Sequence, residues 1–222
     1  MQEEPMEPHT TIKIDLPKRA KKRGNMTSEI PIGVFPQHRA NNTEAMGESA
    51  IPKFVYSYSC AMFNLSDDIA EKILEWEREN IPESSLYIDA DAGIDGYESV
   101  PHVTIKYGIH TIDNTEIEKL VKDYGPVTLQ LNEVSKFDAN PDFDVIKIAI
   151  KSHQLNKLNK IISENTDCTD DFDEYIPHAT LAYVKKGSCD HLIGDTSFDK
   201  LLDEVYEIYF TTRNGEEYYI DL

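Results

Sequence analysis

The chain has 222 residues, 40% hydrophobic and 28% charged, with a formal net charge of −19 at pH 7. That length suits one large domain or two closely packed lobes. It carries no apolar run near the roughly 20 residues that cross a bilayer, and its start, MQEEPMEPHT, lacks the basic and apolar segments of a secretory signal.

Residues 1–52 balance seven Lys/Arg against seven Asp/Glu, so the whole negative charge falls on residues 53–222. Such a body repels long polyanions and argues against a general duplex-DNA surface. A small anion in a local pocket remains compatible, because specific buried donors outweigh a screened distant field. The cysteines, Cys60, Cys168 and Cys189, are few and lack CxxC spacing. They point away from a disulfide framework or zinc site and towards a reducing, cytoplasmic location.

In chain order, residues 1–52 read as a flexible extension, rich in proline and without sustained hydrophobic period. Its basic run, Lys18 to Arg23, suits contact with nucleic acid or a partner, or simply a solubilising tail. A compact domain is expected over 53–222. Its first strand, 54–63, is aromatic and alternating. Ser66 then caps a helix with Asp67 and Asp68 in its first turn and Ile69, Ile73, Leu74 and Trp76 as apolar positions. A loop at 89–96 follows. It fails as a calcium loop, because Gly93 and Ile94 stand where an oxygen ligand and a glycine are needed.

Further on, a helix over 114–124 ends at Gly125-Pro126. Strands at 127–137 and 143–150 flank a turn, and a helix at 153–164 carries Leu155, Leu158, Ile161 and Ile162. A short helix near 198–203, a strand over 204–212 and a last strand after the Asn214-Gly215 turn complete the chain. Strands interleaved with helices in two comparable halves predict an α+β fold. Two antiparallel sheets would face a central groove, with helices outside.

One phrase occurs twice: Val100-Pro101-His102-Val103-Thr104-Ile105-Lys106-Tyr107 and Ile176-Pro177-His178-Ala179-Thr180-Leu181-Ala182-Tyr183. Strand alternation puts His102, Thr104 and Lys106 on one face, and likewise His178, Thr180 and Ala182. Tyr107 and Tyr183 then point to the packing side. The prolines suit strand starts, where a missing backbone donor costs little.

Imidazoles exchange protons near neutral pH. Two His–Thr pairs can bracket one phosphodiester, one histidine acting as base and the other as acid. The threonine hydroxyls, with Lys106, would stabilise the developing charge. No metal is required, and no metal-ligand spacing is present.

On these two phrases the chain resembles the 2H phosphoesterase superfamily over about residues 54–222, with His102, Thr104, His178 and Thr180 matching its two His-x-Thr motifs. The resemblance implies a bilobal, pseudo-symmetric LigT-like fold and catalysis by those four residues without a cofactor. The PHVTIKYG and YIPHATLAYV contexts and the tyrosine-rich first strand are similar to phage-encoded anti-CBASS phosphodiesterases, which degrade cyclic oligonucleotide signals.

Tyr56 and Tyr58 share a strand face suited to stacking on bases or to core packing. Glu207, in an otherwise apolar strand, suits a base edge or a protective edge-strand charge. His110 and His191 fall in loops, read as solvated, and His153 near a helix start.

Three functions compete. The first is a metal-independent phosphodiesterase for small 3′,5′-linked cyclic oligonucleotides. The second is an RNA enzyme: a 2′,3′-cyclic phosphodiesterase, a 2′-5′ oligoadenylate phosphodiesterase or a 2′-5′ RNA ligase. The third is a module that sequesters a nucleotide without cleaving it. The expected partner is thus a small cyclic oligonucleotide or short RNA, with no membrane contact. The sequence leaves the oligomeric state open.

Overall fold

The computed structural model describes residues 57–90, 92–170 and 174–222. The expected extension at 1–52 and Tyr56 lie outside these residues. The elements in order are β1 Ser59–Asn64, α1 Asp67–Asn80, β2 His102–Ile109, α2 Asn114–Val121, β3 Val127–Phe137, β4 Phe143–Lys151, α3 His153–Asn165, β5 His178–Lys185, β6 Leu202–Val205, β7 Glu207–Thr211 and β8 Glu217–Asp221. Short 3₁₀ turns lie at Glu83–Ser85 and Asp190–Leu192. Among the described residues no helix is long and apolar enough to cross a membrane.

The composition is α+β as expected, but the strands form one sheet and not two. Its order is β6-β3-β4-β5-β2-β1-β7-β8, and every pairing is antiparallel. Two four-stranded halves meet at β5 and β2, where a single pair, Val103 with Ala179, carries the ladder.

Beyond that pair each seam strand takes backbone partners from the loop that leads into the other. Glu98 N–H donates to Leu181 O at 2.8 Å and Tyr183 N–H to Gly96 O at 2.7 Å, covering β5. On β2, Thr169 N–H donates to Gly108 O at 2.9 Å and His110 N–H to Asp167 O at 3.0 Å. The Tyr175 hydroxyl donates to Thr104 O at 2.6 Å. Buried main-chain groups that two diverging strands would leave bare are thereby satisfied.

The expected strand 204–212 is broken at Tyr206. β6 pairs with β3 at one edge of the sheet, whereas β7 pairs with β1 in the other half. One residue between them allows Val205 and Glu207 to be separated by at most about 7.6 Å, two peptide steps. The sheet must therefore curl until its β6 edge approaches β7. The short helix expected at 198–203 is replaced by turns, with Asp199 N–H donating to Thr196 O and Leu201 N–H to Phe198 O.

Helices strap the halves together. α1 follows β1 but packs on β5, burying Ile69, Ile73 and Trp76; α3 follows β4 but packs on β2 and β3, burying Leu155, Leu158 and Ile162. Ser66 occupies the N-cap position of α1 without a side-chain cap bond. Asp203 Oδ2 instead accepts the Ser66 N–H at 2.9 Å, tying the start of the helix to β6.

Gly108 is the tightest point of the seam. Its φ is +85°, and a Cβ there would stand 2.0 Å from the Thr169 carbonyl oxygen. A left-handed backbone and a clash with main chain both oppose a side chain. Gly108→Ala is expected to lower unfolding stability by about 2 kcal/mol or more, measured by urea denaturation. Full stability in the variant would mean that the 167–170 segment does not depend on this contact.

Candidate active site

The seam pair sets the geometry of the repeated residues. Val103 and Ala179 are fully buried in the core, so their neighbours His102, Thr104, His178 and Thr180 project from the opposite face. Continuing the Val103–Ala179 register by one residue puts His102 opposite Thr180 and Thr104 opposite His178. The histidines are then diagonal neighbours, about 7–8 Å apart at the backbone, with a threonine beside each. All four residues come together.

Both imidazoles are fixed in the same way. His102 Nδ1 lies 2.8 Å from Val100 O, and His178 Nδ1 lies 2.7 Å from Ile176 O. A carbonyl oxygen only accepts, so each Nδ1 carries the hydrogen and each Nε2 is left for proton exchange.

Alternation fails just after each threonine, because both strands contain a bulge at the same place. Thr104 pairs with Met62 but Lys106 with Ala61, and Thr180 pairs with Lys147 but Ala182 with Ile146. The extra residue puts two consecutive side chains on the core face: Ile105 with Lys106, and Leu181 with Ala182. Lys106 therefore leaves the histidine face. It is 4% exposed and ion-paired with Asp170. The same bulges return Tyr107 and Tyr183 to the histidine face, where alternation had predicted the packing side. Tyr183 stacks edge-on with Phe143 at 5.6 Å, and Tyr107 edge-on with Tyr58 at 5.7 Å.

Two residues that sequence reasoning passed over stand beside the four. The first is Lys147 on β4, paired with Thr180 and 5% exposed. Its Nζ donates to Ser135 Oγ at 2.9 Å and sits 4.4 Å from the centre of the Phe137 ring. That ring in turn meets His178 edge-on at 4.9 Å. Strand pairing alone brings Lys147 here, so no local signal marks it.

The second is Glu98, 6% exposed, which accepts the Val100 N–H at 3.2 Å. It steadies the turn whose carbonyl orients His102. Here a signal existed: the repeat extends to a glutamate four residues before each histidine, Glu98 and Glu174. Only Glu98 is buried; Glu174 is exposed.

Electrostatics separate the two halves. Burial pushes His178 down to about 4, opposed by the Ile176 carbonyl bond and reinforced by the charges of Lys147 and His102. Burial also lowers Lys147. Glu98 is raised by burial, against the attraction of His102 and backbone hydrogen bonds. Its neighbour Glu77 is pushed up to about 9 by burial and the Glu98 charge, opposed by Arg78. His178 is thus held neutral at physiological pH.

The remaining candidates lie farther out. Tyr58 precedes β1 and packs on Tyr107, five residues along β2 from His102, on the order of 15 Å away. Its ring also stacks on His110 at 5.3 Å. His110 is not the solvated loop residue its sequence position suggests. Instead it bridges Asp167 Oδ2 and Thr169 Oγ1, each at 2.9 Å, and pins the 167–170 segment. His153 begins α3, as expected, and His191 is exposed in the second 3₁₀ turn.

Glu207 is exposed at the start of β7. Extending the β1–β7 register past Met62–Tyr209 sets it opposite Asn64, which pairs with His102. It therefore shares the histidine face, about 10 Å away across two strand spacings. Among the described residues no three His, Cys, Asp or Glu side chains converge as a metal site.

The chain matches the family model described as the 2′-5′ RNA ligase superfamily over residues 65–211, which includes both His-x-Thr motifs. No curated protein matches it significantly. Among solved structures it is similar to Escherichia coli LigT complexed with 3′-AMP, at 16% identity and a TM-score of 0.49, covering 74% of this chain and 94% of that one. It is also similar to the protein TT0787 of Thermus thermophilus, at 13% identity and a TM-score of 0.47, covering 74% and 94%. A third solved structure, that of a phosphoesterase, matches at 16% identity and a TM-score of 0.46, covering 74% of this chain and 95% of that one. With the family match spanning about two thirds of its length, the chain belongs to the 2′-5′ RNA ligase superfamily.

Proposed function

We propose that the protein is a metal-independent phosphodiesterase. His178 acts as the general base, His102 as the general acid, and Thr104 and Thr180 hold the phosphate between them. The carrying observation is the seam geometry, which sets two His–Thr pairs diagonally about one site with both Nε2 atoms available.

In this reading His178 Nε2 takes the proton from a ribose 2′-hydroxyl. The resulting oxygen attacks phosphorus while His102 gives its Nε2 proton to the departing 5′-oxygen. One P–O bond forms, one breaks, and a 2′,3′-cyclic phosphate results. Water then opens the ring with the two histidines exchanging roles. The threonine hydroxyls donate to the non-bridging oxygens, whose charge grows in the transition state.

The leading substrate is a small 3′,5′-linked cyclic oligonucleotide of the CBASS bacterial antiphage defence, met in the bacterial cytosol. The acidic body supports a small ligand over long RNA, and the three free cysteines suit a reducing compartment. The domain responsible is residues 53–222, with Glu207 and Tyr58 as outer contacts to bases. The family description favours a second reading, an RNA 2′,3′-cyclic phosphodiesterase or 2′-5′ ligase.

Mass spectrometry after incubation with cyclic di- and trinucleotides, adenosine 2′,3′-cyclic phosphate and tRNA fragments separates the readings. Linear products from the cyclic oligonucleotides, formed in the presence of EDTA, are expected. Loss of activity in EDTA would sink the metal-free mechanism, and turnover of tRNA fragments alone would select the RNA reading. His102→Ala and His178→Ala should each reduce kcat/KM by about 100-fold or more; a variant that keeps its kcat/KM would remove that histidine from the chemistry, and an unaltered protein that binds these nucleotides without cleaving any would indicate sequestration.

A base must be neutral to work, and His178 is held at about 4. The acid limb of kcat/KM should therefore fall only as pH approaches about 4, not near the ordinary imidazole value. A limb centred near the ordinary value, about 6.5, would reassign the base. Glu98→Ala should lower kcat about tenfold with little change in KM, through loss of one buried hydrogen bond. Glu98→Gln keeps an acceptor for the Val100 N–H and should restore most of it.

A further inference from the structure

The two half-sites differ in one respect that the repeated phrase conceals. Each threonine is paired with a residue of the neighbouring strand on the same face: Thr104 with Met62 and Thr180 with Lys147. One half therefore offers an apolar side chain where the other offers an ammonium. Lys147 is only 5% exposed, and among the described residues no Asp or Glu forms an ion pair with it. Its partners are a hydroxyl, Ser135 Oγ at 2.9 Å, and the face of Phe137. A buried charge without a counter-ion is unfavourable unless something supplies the opposite charge. Among the other buried ionisable groups described, Lys106 has Asp170 and Asp144 has Lys136 and Lys186 as counter-ions, whereas burial pushes the unpaired carboxyls of Glu77 and Glu98 towards their neutral form.

We propose that Lys147 is a phosphate-binding residue of the site, its ammonium forming the counter-charge to the phosphate oxygens held by Thr180 and the two imidazoles. Ser135 and Phe137 hold the side chain in place from β3, and Phe137 also walls His178. The cation acts from one side only, so it pulls the non-bridging oxygens towards the β4–β5 half and orients the phosphate relative to base and acid. It also explains how a chain of net charge −19 accepts an anion: the attraction is local, and burial spares it from screening. The inference rests on the phosphodiesterase reading for its catalytic consequence but not for anion binding itself.

Lys147→Met reproduces the Met62 of the other half and is expected to preserve the fold. Lys147→Arg keeps the charge. The probe is inorganic phosphate, titrated calorimetrically and by the side-chain ammonium resonance of Lys147 in the unaltered protein. Phosphate should shift that resonance, and Lys147→Met should weaken phosphate affinity at least tenfold. In the same variant kcat/KM on the hydrolysed substrate should drop about 100-fold, with Lys147→Arg recovering a substantial part.

Phosphate affinity and kcat/KM unchanged in Lys147→Met would overturn the inference while leaving the histidine mechanism intact. So would an unaltered protein that binds no phosphate or shows no Lys147 shift. A protein that hydrolyses none of the substrates, yet loses phosphate affinity with Lys147→Met, would retain Lys147 as an anion site and remove the phosphodiesterase reading. If Lys147→Met does not fold, the resonance shift in the unaltered protein and the Lys147→Arg affinity decide the question.

Discussion

Everything in this structure turns on the pair Val103 and Ala179. It is the sole ladder contact between β2 and β5, and the four candidate catalytic side chains are its immediate neighbours. Because it is antiparallel, it crosses the repeats, setting each histidine beside the other copy's threonine. Because it is short, the remaining backbone groups of both strands must find partners elsewhere. Such a joint is weak by itself. It holds because each seam strand is closed by the loop leading into its counterpart, and because α1 and α3 each run from one half onto the other.

The same exchange explains how the site is oriented. The loops that complete the seam are also the loops that deliver Pro101-His102 and Pro177-His178. Leu65 N–H donates to Pro101 O and Ile150 N–H to Pro177 O, both at 3.1 Å, fixing the two approaches alike. The carbonyls two residues before each histidine then hold Nδ1 in one tautomer. Backbone geometry is therefore common to both halves, while charge is not. Lys147, His178 and the buried Glu98 make one half cationic and desolvated and the other carboxylate-supported. A two-histidine mechanism needs that inequality, since acid and base must differ in protonation before the reaction starts.

Much of the local structure was legible from residue patterns. The strands expected at 127–137 and 143–150 match β3 and β4, and the helix expected at 153–164 matches α3 within a residue, because their apolar residues are dense and Gly125-Pro126 and the Asp138–Asp142 turn mark their ends. The strand expected at 204–212 failed at Tyr206, where apolar character continues but the chain passes to another neighbour; hydropathy does not record which strand is adjacent. Lys106 and Tyr183 were assigned to the wrong faces because alternation assumes a regular pleat, and a one-residue bulge reverses its sense. The sequence shows no glycine or proline at either bulge to announce it.

The sequence by itself determined the candidate reacting groups. Two copies of His-x-Thr, each opening a strand behind a proline, specify two imidazoles and two hydroxyls with side chains on one face, since the i, i+2 relation is a property of any extended chain. It also determined that the body is acidic and that one eight-residue phrase recurs 76 residues further on. Only the tertiary structure decided that the halves share one curled sheet, that the histidines meet diagonally, and that Lys147 belongs beside them while Lys106 does not. Those outcomes depend on strand order, register and bulges, which arise from packing between segments far apart in the chain and leave no mark within any one of them.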